Sequence, residues 1–153
     1  MRQPTIVHVT QTEPFNCVSA CLAMILNKDI DVVTAEFDEA YKATKLETHD
    51  YLLDNDMPFR RCMANERVLK PNTIYLAAVP SVNILGGLHQ VIIETDDQNW
   101  AWVYDPNKGR EGRKHVAFFA NDYEVPVDMV RLIAYIPEYE FTLGSVQRRY
   151  KKV

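Results

Sequence analysis

The stretch from Cys17 to Leu26 sets the first constraint on the fold. It reads Cys-Val-Ser-Ala-Cys-Leu-Ala-Met-Ile-Leu, apolar throughout apart from Cys17 and Ser19. Asn16 stands before it as an N-cap and Asn27 after it as a C-cap. A helix that is apolar on nearly every side is stable only when neighbours cover it all round. The rest of the chain must therefore be arranged about this helix. With 153 residues, the chain has the length to do so as one domain spanning 1–153. Ala20 to Leu26, the longest unbroken apolar run, falls well short of the roughly 20 residues that span a bilayer.

A loop, Gln11 to Asn16, feeds the helix, and Pro14 disfavours helix at Glu13. Before it, Ile6 to Val9 has strand character. Apolar spacing predicts a second helix over about Val32 to Ala43, with Thr34 as the cap of a shorter alternative. A third runs over about Leu46 to Asp54, and Met57-Pro58-Phe59 then opens an extended piece to Cys62. Beyond that the period changes. Strands are expected at Thr73 to Val79, Leu88 to Thr95, Asn99 to Asp105, Val116 to Phe119 and Met129 to Ile136. Helices first and strands afterwards give an α+β domain, with N-terminal helices packed on an antiparallel sheet. The basic end, about 145–153, is expected to be a solvated tail, with an acidic partner as the alternative.

Composition narrows the function. The formal net charge is −4, so a general affinity for nucleic acid is not expected. Met1 to Thr5 lead into no apolar signal core, and the expected location is the cytoplasm. Three cysteines, Cys17, Cys21 and Cys62, form no Cys-x-x-Cys pair, and an odd count without a secretion signal argues against a disulfide framework. The histidines His8, His49, His89 and His115 are scattered, with no zinc-ligand spacing. The absence of such spacing leaves a zinc site open.

Two places combine into a site. Leu88–Thr95 and Asn99–Asp105 form a hairpin about the polar turn Asp96-Asp97-Gln98. A three- or five-residue loop there sets His89 directly opposite Asp105, where a carboxylate fixes the tautomer of an imidazole. Val91 and Ile93 share the face of His89, which is therefore expected to pack on the helices. Cys17 opens the buried helix, where the positive end of the dipole favours thiolate and exposed N–H groups can bind an oxyanion. Gln11, in the feeding loop, offers a second oxyanion donor.

Gln11-x5-Cys17 at a helix start, Leu88-His89-Gln90-Val91 on a strand and Tyr104-Asp105-Pro106-Asn107-Lys108-Gly109 together resemble a papain-like cysteine peptidase. The nearest type is the bacteriocin-processing, double-glycine-leader peptidase in its stand-alone form, and the resemblance spans residues 8 to 110. It implies the papain-like fold and a thiol hydrolase acting on a peptide or protein substrate. It also implies Cys17 as nucleophile, His89 as general base, Asp105 as its orienter and Gln11 as oxyanion donor. On this resemblance no metal and no organic cofactor is expected. Val18 departs from the Gly or Ala usual after the cysteine, and the export module of the transporter-fused members is not expected, so leader cleavage coupled to export is not implied.

Other readings compete. Cys17 alone would pass for an inert core cysteine, and His89 for a satisfied sheet histidine. Gln11 could simply bridge a loop, and Asp105 before Pro106 is an ordinary turn residue. Cys21 reads as core filler, or else as a redox partner of Cys17. Gly86-Gly87 reads as a flexible turn, or else leaves room for substrate beside His89, and Trp100 and Trp102 read as core or edge cover. Beside hydrolysis stand acyl transfer to an amine on the same fold, and an inactive module that only holds a peptide. Oligomeric state stays open.

Overall fold

The central helix α1 runs Cys17–Leu26, and every residue from Val18 to Leu26 is buried. Asn27 ends it in the left-handed region at φ 50, a conformation that asparagine tolerates better than most residues. The computed structural model describes residues 2–66, 68–98, 100–117, 124–126 and 135–151. Three short helices follow α1, namely α2 (Ile30–Val33), α3 (Glu39–Lys42) and α4 (Thr48–Asp54), with a π-helical turn at Thr34–Asp38. The strands are β1 (Arg60–Arg61), β2 (Thr73–Pro80), β3 (Leu88–Thr95), β4 (Ala101–Tyr104), β5 (His115–Ala117), β6 (Glu124–Pro126) and β7 (Ile136–Thr142). Helix α5 (Leu143–Tyr150) comes last.

The fold is α+β. A five-stranded sheet in the order β1-β7-β2-β3-β4 is antiparallel throughout. β5 and β6 form a separate parallel pair. Pro137 lacks an N–H to donate, and beside it the β2–β7 register slips between Leu76 and Ala77. Among the described residues, no helix is long and apolar enough to cross a membrane.

The sheet is buried on both faces. Leu22, Met24 and Ile25 of α1 pack with Ile74, Leu76, Ile92 and Phe141 on one side. Tyr75, Ala77, Val79, Val91, Ile93 and Val116 form a second core on the other. Val91 and Ile93 therefore point away from the helices, contrary to expectation. The run Val91-Ile92-Ile93 puts apolar side chains on both faces, so alternation alone does not distinguish them.

Several boundaries move. The second helical stretch starts at Ile30 because the Asp29 carboxylate caps it, accepting from the Asp31 N–H at 2.8 Å. Thr34 opens the π-turn and starts no shorter helix; it is instead the C-cap of α2, its N–H donating to the Asp31 and Ile30 carbonyls. The third begins at Thr48, where Asp50 accepts the Glu47 N–H at 3.0 Å. Of the expected strands, Asn99, 118–119 and 129–134 lie outside the described residues, and β7 starts at Ile136, where the last expected strand ends.

The chain end is not a loose tail as far as Lys151. Thr142 caps α5 through the Ser145 N–H, Ser145 and Val146 are buried, and Arg149 reaches back to the last turns of two helices. Its guanidinium donates to the Leu26 carbonyl at 3.2 Å and the Asn55 carbonyl at 3.0 Å. Cations stabilise helix C-termini in this way. Its few apolar residues, Leu143, Val146 and Tyr150, lie against the main core, but Arg148, Arg149 and Lys151 at its end read as solvated.

Ile6 to Val9 joins no sheet. Its neighbourhood bonds to side chains instead, chiefly to the fully buried Glu94. That carboxylate accepts from the Thr5 N–H at 2.9 Å, the Ile6 N–H at 3.2 Å and the Tyr104 hydroxyl at 3.3 Å, and pairs with Arg2. Arg2 also covers the Trp102 ring, 5.2 Å from its centroid, so Trp102 shields the sheet edge. Trp100 lies in the turn before β4 and is 64% exposed. Removing one partner of such a buried set leaves the others unsatisfied. Glu94→Ala should therefore lower unfolding stability by about 3 kcal/mol in urea titration. A change within about 0.5 kcal/mol would show that Glu94 does not anchor the N-terminal strap.

Candidate active site

The turn between β3 and β4 fixes where His89 looks. Asp96 is fully buried, and its carboxylate accepts the N–H groups of Gln98 at 2.9 Å and Trp100 at 2.8 Å. Its own N–H donates to the Trp100 carbonyl at 2.9 Å. These bonds widen the turn, so Thr95 pairs with Ala101 and Ile92 with Tyr104. The register is displaced by two residues from the one expected, and His89 is not directly opposite Asp105. A displacement of two keeps the parity of the faces. Asp105 follows the end of β4 and still meets the ring, with His89 Nε2 lying 2.6 Å from Asp105 Oδ1.

Asp105 is held from several sides. Its Oδ1 also accepts the Asn107 N–H at 2.8 Å, and its Oδ2 accepts the Val116 N–H at 2.8 Å. The N-terminal strap runs along the turn that carries it. His8 Nε2 lies 2.7 Å from the Asp105 carbonyl oxygen, and the Gln11 N–H donates to the Pro106 carbonyl at 2.9 Å. Thr10 Oγ1 donates to the Lys108 carbonyl at 2.7 Å. The strap passes so close that a Cβ at Gly109, where φ is +94, would lie 2.9 Å from Thr10 Oγ1. Asn107 adds a contact on the ring, its Nδ2 lying 3.4 Å from His89 Nε2. His8 carries no spacing signal toward this site, because its approach depends on the strap, and Asn107 is brought to the ring by the same displaced β3–β4 register.

With Nε2 facing Asp105, Nδ1 is the ring nitrogen left for Cys17; the thiol and the ring line one cleft, and each shifts the ionisation of the other. Burial opposes ionisation of Cys17. The His89 hydrogen bond and charge, with the Gln90 and Val18 N–H groups, outweigh it and bring the thiol below its ordinary value. Burial likewise opposes the charge on His89, but Asp105 and then Cys17 outweigh it and push the ring up to about 9. Both shifts favour a thiolate–imidazolium pair at neutral pH. Cys21 is fully buried, and burial followed by the nearby Cys17 charge holds its thiol well above the ordinary value. Cys62 is pushed up to about 11, first by burial and then by Glu66.

The pair opens into a cleft of about 260 Å³. Gln11, Phe15 and Val18 line it from the feeding loop and α1, and Tyr41 and Lys42 from α3. Leu88 lines it from the start of β3, and Ile84, Asn107, Arg110 and Arg113 from the strand connections. Asn16 occupies the N-cap position but makes no side-chain cap bond to α1. Its side chain accepts the Glu13 N–H at 2.9 Å and donates to Thr12 Oγ1 at 3.0 Å, shaping the loop instead. The first N–H groups of a helix have no acceptor within it, and here no side chain of the N-cap takes them.

Gln11 is brought to the cleft, but its bonding differs from that of a free donor. Nε2 donates to the Glu13 carbonyl at 2.8 Å and lies 3.2 Å from the Pro14 carbonyl, while Oε1 is buried without a partner. The side chain therefore braces the loop. Gln11→Ala should lower stability by about 1 kcal/mol. It should lower kcat by less than the roughly 10²-fold typical of losing an oxyanion donor. A larger kcat loss at unchanged stability, read from turnover and thermal melting together, would restore the donor role. Glu47, His49 and Asp50 gather at the start of α4 in an arrangement that exposed acidic groups often share without an ion. None of the three lines the cleft of Cys17. No family model matches the chain, and no curated protein and no solved structure matches it.

Proposed function

We propose that the chain is a cysteine peptidase of papain-like type, hydrolysing a peptide or isopeptide bond without metal or organic cofactor. The observation that carries this reading is the convergence of Cys17, at the N-terminus of the buried helix, and the Asp105-bound ring of His89 on one cleft. In the proposed cycle, Cys17 thiolate attacks the carbonyl carbon and forms a C–S bond. The oxyanion lies against the first-turn N–H groups of α1. His89 imidazolium gives its proton to the departing nitrogen as the C–N bond breaks, leaving an acyl-enzyme. Water then attacks that carbonyl while His89 takes its proton, the C–S bond breaks and the acid leaves. Asp105 holds the ring in one tautomer throughout. Transfer of the acyl group to an amine would use the same intermediate and is distinguished by the mass of the product.

Thiol chemistry provides the direct test. Iodoacetamide at pH 7 should modify Cys17 at least about tenfold faster than Cys62 or Cys21, since thiolate is the reactive form. As pH falls through the lowered value of Cys17, the rate should drop, because protonation restores the thiol. It should still persist at pH values where an ordinary cysteine is inert. Equal, slow labelling of Cys17 and Cys62 in a peptide-mapping time course would leave no activated nucleophile.

A further inference from the structure

The charge of the cleft is opposite to that of the protein. The chain as a whole has 21 acidic and 17 basic side chains, yet the cleft lining includes Lys42, Arg110 and Arg113 and no carboxylate. Lys42 is neutralised by Asp38 at 2.6 Å. Arg110 and Arg113 are half-buried, and neither forms an ion pair among the described residues. Half-buried guanidinium groups without counterions are poised for a planar anion, which they bind bidentately. Their position indicates the side of the substrate. Arg110 donates to Asn107 Oδ1 at 3.1 Å, and Asn107 touches the His89 ring. The ring must face the departing nitrogen in order to protonate it. Arg110, and Arg113, whose N–H donates to the Arg110 carbonyl at 3.3 Å, therefore line the cleft from the turn that packs on His89, the group that serves the departing nitrogen. The exposed side chains of Phe15, Ile84 and Leu88 offer apolar contact in the same cleft.

We propose that this cleft recognises peptides bearing a carboxylate, placed on the leaving-group side of the bond that is cut and held by Arg110 and Arg113. The inference rests on the hydrolase reading above. The carboxylate comes either from an Asp or Glu side chain or from the free C-terminus of a short leaving peptide.

A tryptic-peptide library, half of it C-terminally amidated, is incubated with wild-type protein, Arg113→Gln and the double variant Arg110→Gln/Arg113→Gln. New chain ends are mapped by mass spectrometry. In parallel, fluorescent peptides that are acidic, or neutral and amidated, are titrated into Cys17→Ala by anisotropy. Wild-type cleavage should favour acidic or free-C-terminal leaving segments, and the amidated half separates the two sources. Arg113→Gln should lose about tenfold in kcat/KM on those substrates and little on neutral ones. Arg110→Gln touches Asn107, so a loss on all substrates there, but not in Arg113→Gln, would mark positioning of the ring rather than recognition. Cleavage with no acidic preference, or with a preference surviving in the double variant, overturns the inference and leaves the hydrolase reading standing. Tighter binding of acidic peptides that vanishes in the double variant built on Cys17→Ala, without cleavage by wild type, supports carboxylate recognition and overturns the hydrolase reading. Neither cleavage nor charge-selective binding overturns both.

Discussion

Replacing Cys17 with alanine should remove turnover by at least about 10⁴-fold, the scale on which nucleophile deletions act in triad enzymes. The fold should survive. Cys17 is only half-buried and begins a helix whose burial starts at Val18, and alanine is a better helix former than cysteine. A thermal midpoint within a few degrees of wild type is expected, since surface-proximal substitutions shift stability little. Cys62→Ser provides the contrast. Cys62 lies outside the cleft, and its thiol is pushed up to about 11, so full turnover is expected without it. Both variants are assayed on the substrate pool that shows new chain ends with wild-type protein. Turnover retained in Cys17→Ala with an unchanged melting profile would remove the nucleophile from its assigned place. The other contacts of the site would then need another explanation.

The sequence shows the site more clearly than the geometry that assembles it. Helix α1 was legible to the residue because an unbroken apolar run bounded by two asparagines has few alternatives. The pairing of His89 with Asp105 was legible in its parity but not in its register. The register depends on Asp96 collecting two N–H groups inside the turn, a bond pattern that marks a turn but does not set its length. The face of β3 was misread because both sides of that strand are covered. The strap from Arg2 to Thr10 and the helix α5 were missed for a shared reason. Each buries only a few apolar side chains, Ile6 in the strap and Val146 in α5, and is fixed further by individual hydrogen bonds to Glu94, Asp105, Leu26 or Asn55, which apolar spacing does not report. The strap bears on the site directly. It pins the turn that carries Asp105 to the loop that leads into Cys17, so the two halves of the constellation share one support.

Asp105→Asn should reduce kcat/KM by about 10² to 10³-fold, less than loss of the nucleophile, because the ring and the thiol remain. The pH profile carries the argument. In the wild type, His89 is pushed up to about 9, with Asp105 the leading favourable cause, so the alkaline limb of kcat/KM should fall near pH 9 as the imidazolium loses its proton. Asparagine carries no charge, so the ring pKa drops and that limb moves to lower pH. The His89 charge is also what helps lower the Cys17 thiol, so the acid limb moves to higher pH and the bell narrows from both sides. A purely structural role predicts something else. The Asp105→Asn substitution would also disturb the bond to the Val116 N–H, costing about 1 kcal/mol of stability, but that loss scales activity without moving either limb. A melting shift accompanied by an unchanged pH profile would therefore make Asp105 a turn residue and nothing more. Narrowing of the bell, with the alkylation profile of Cys17 moving in step, would tie the carboxylate to the protonation state of the pair.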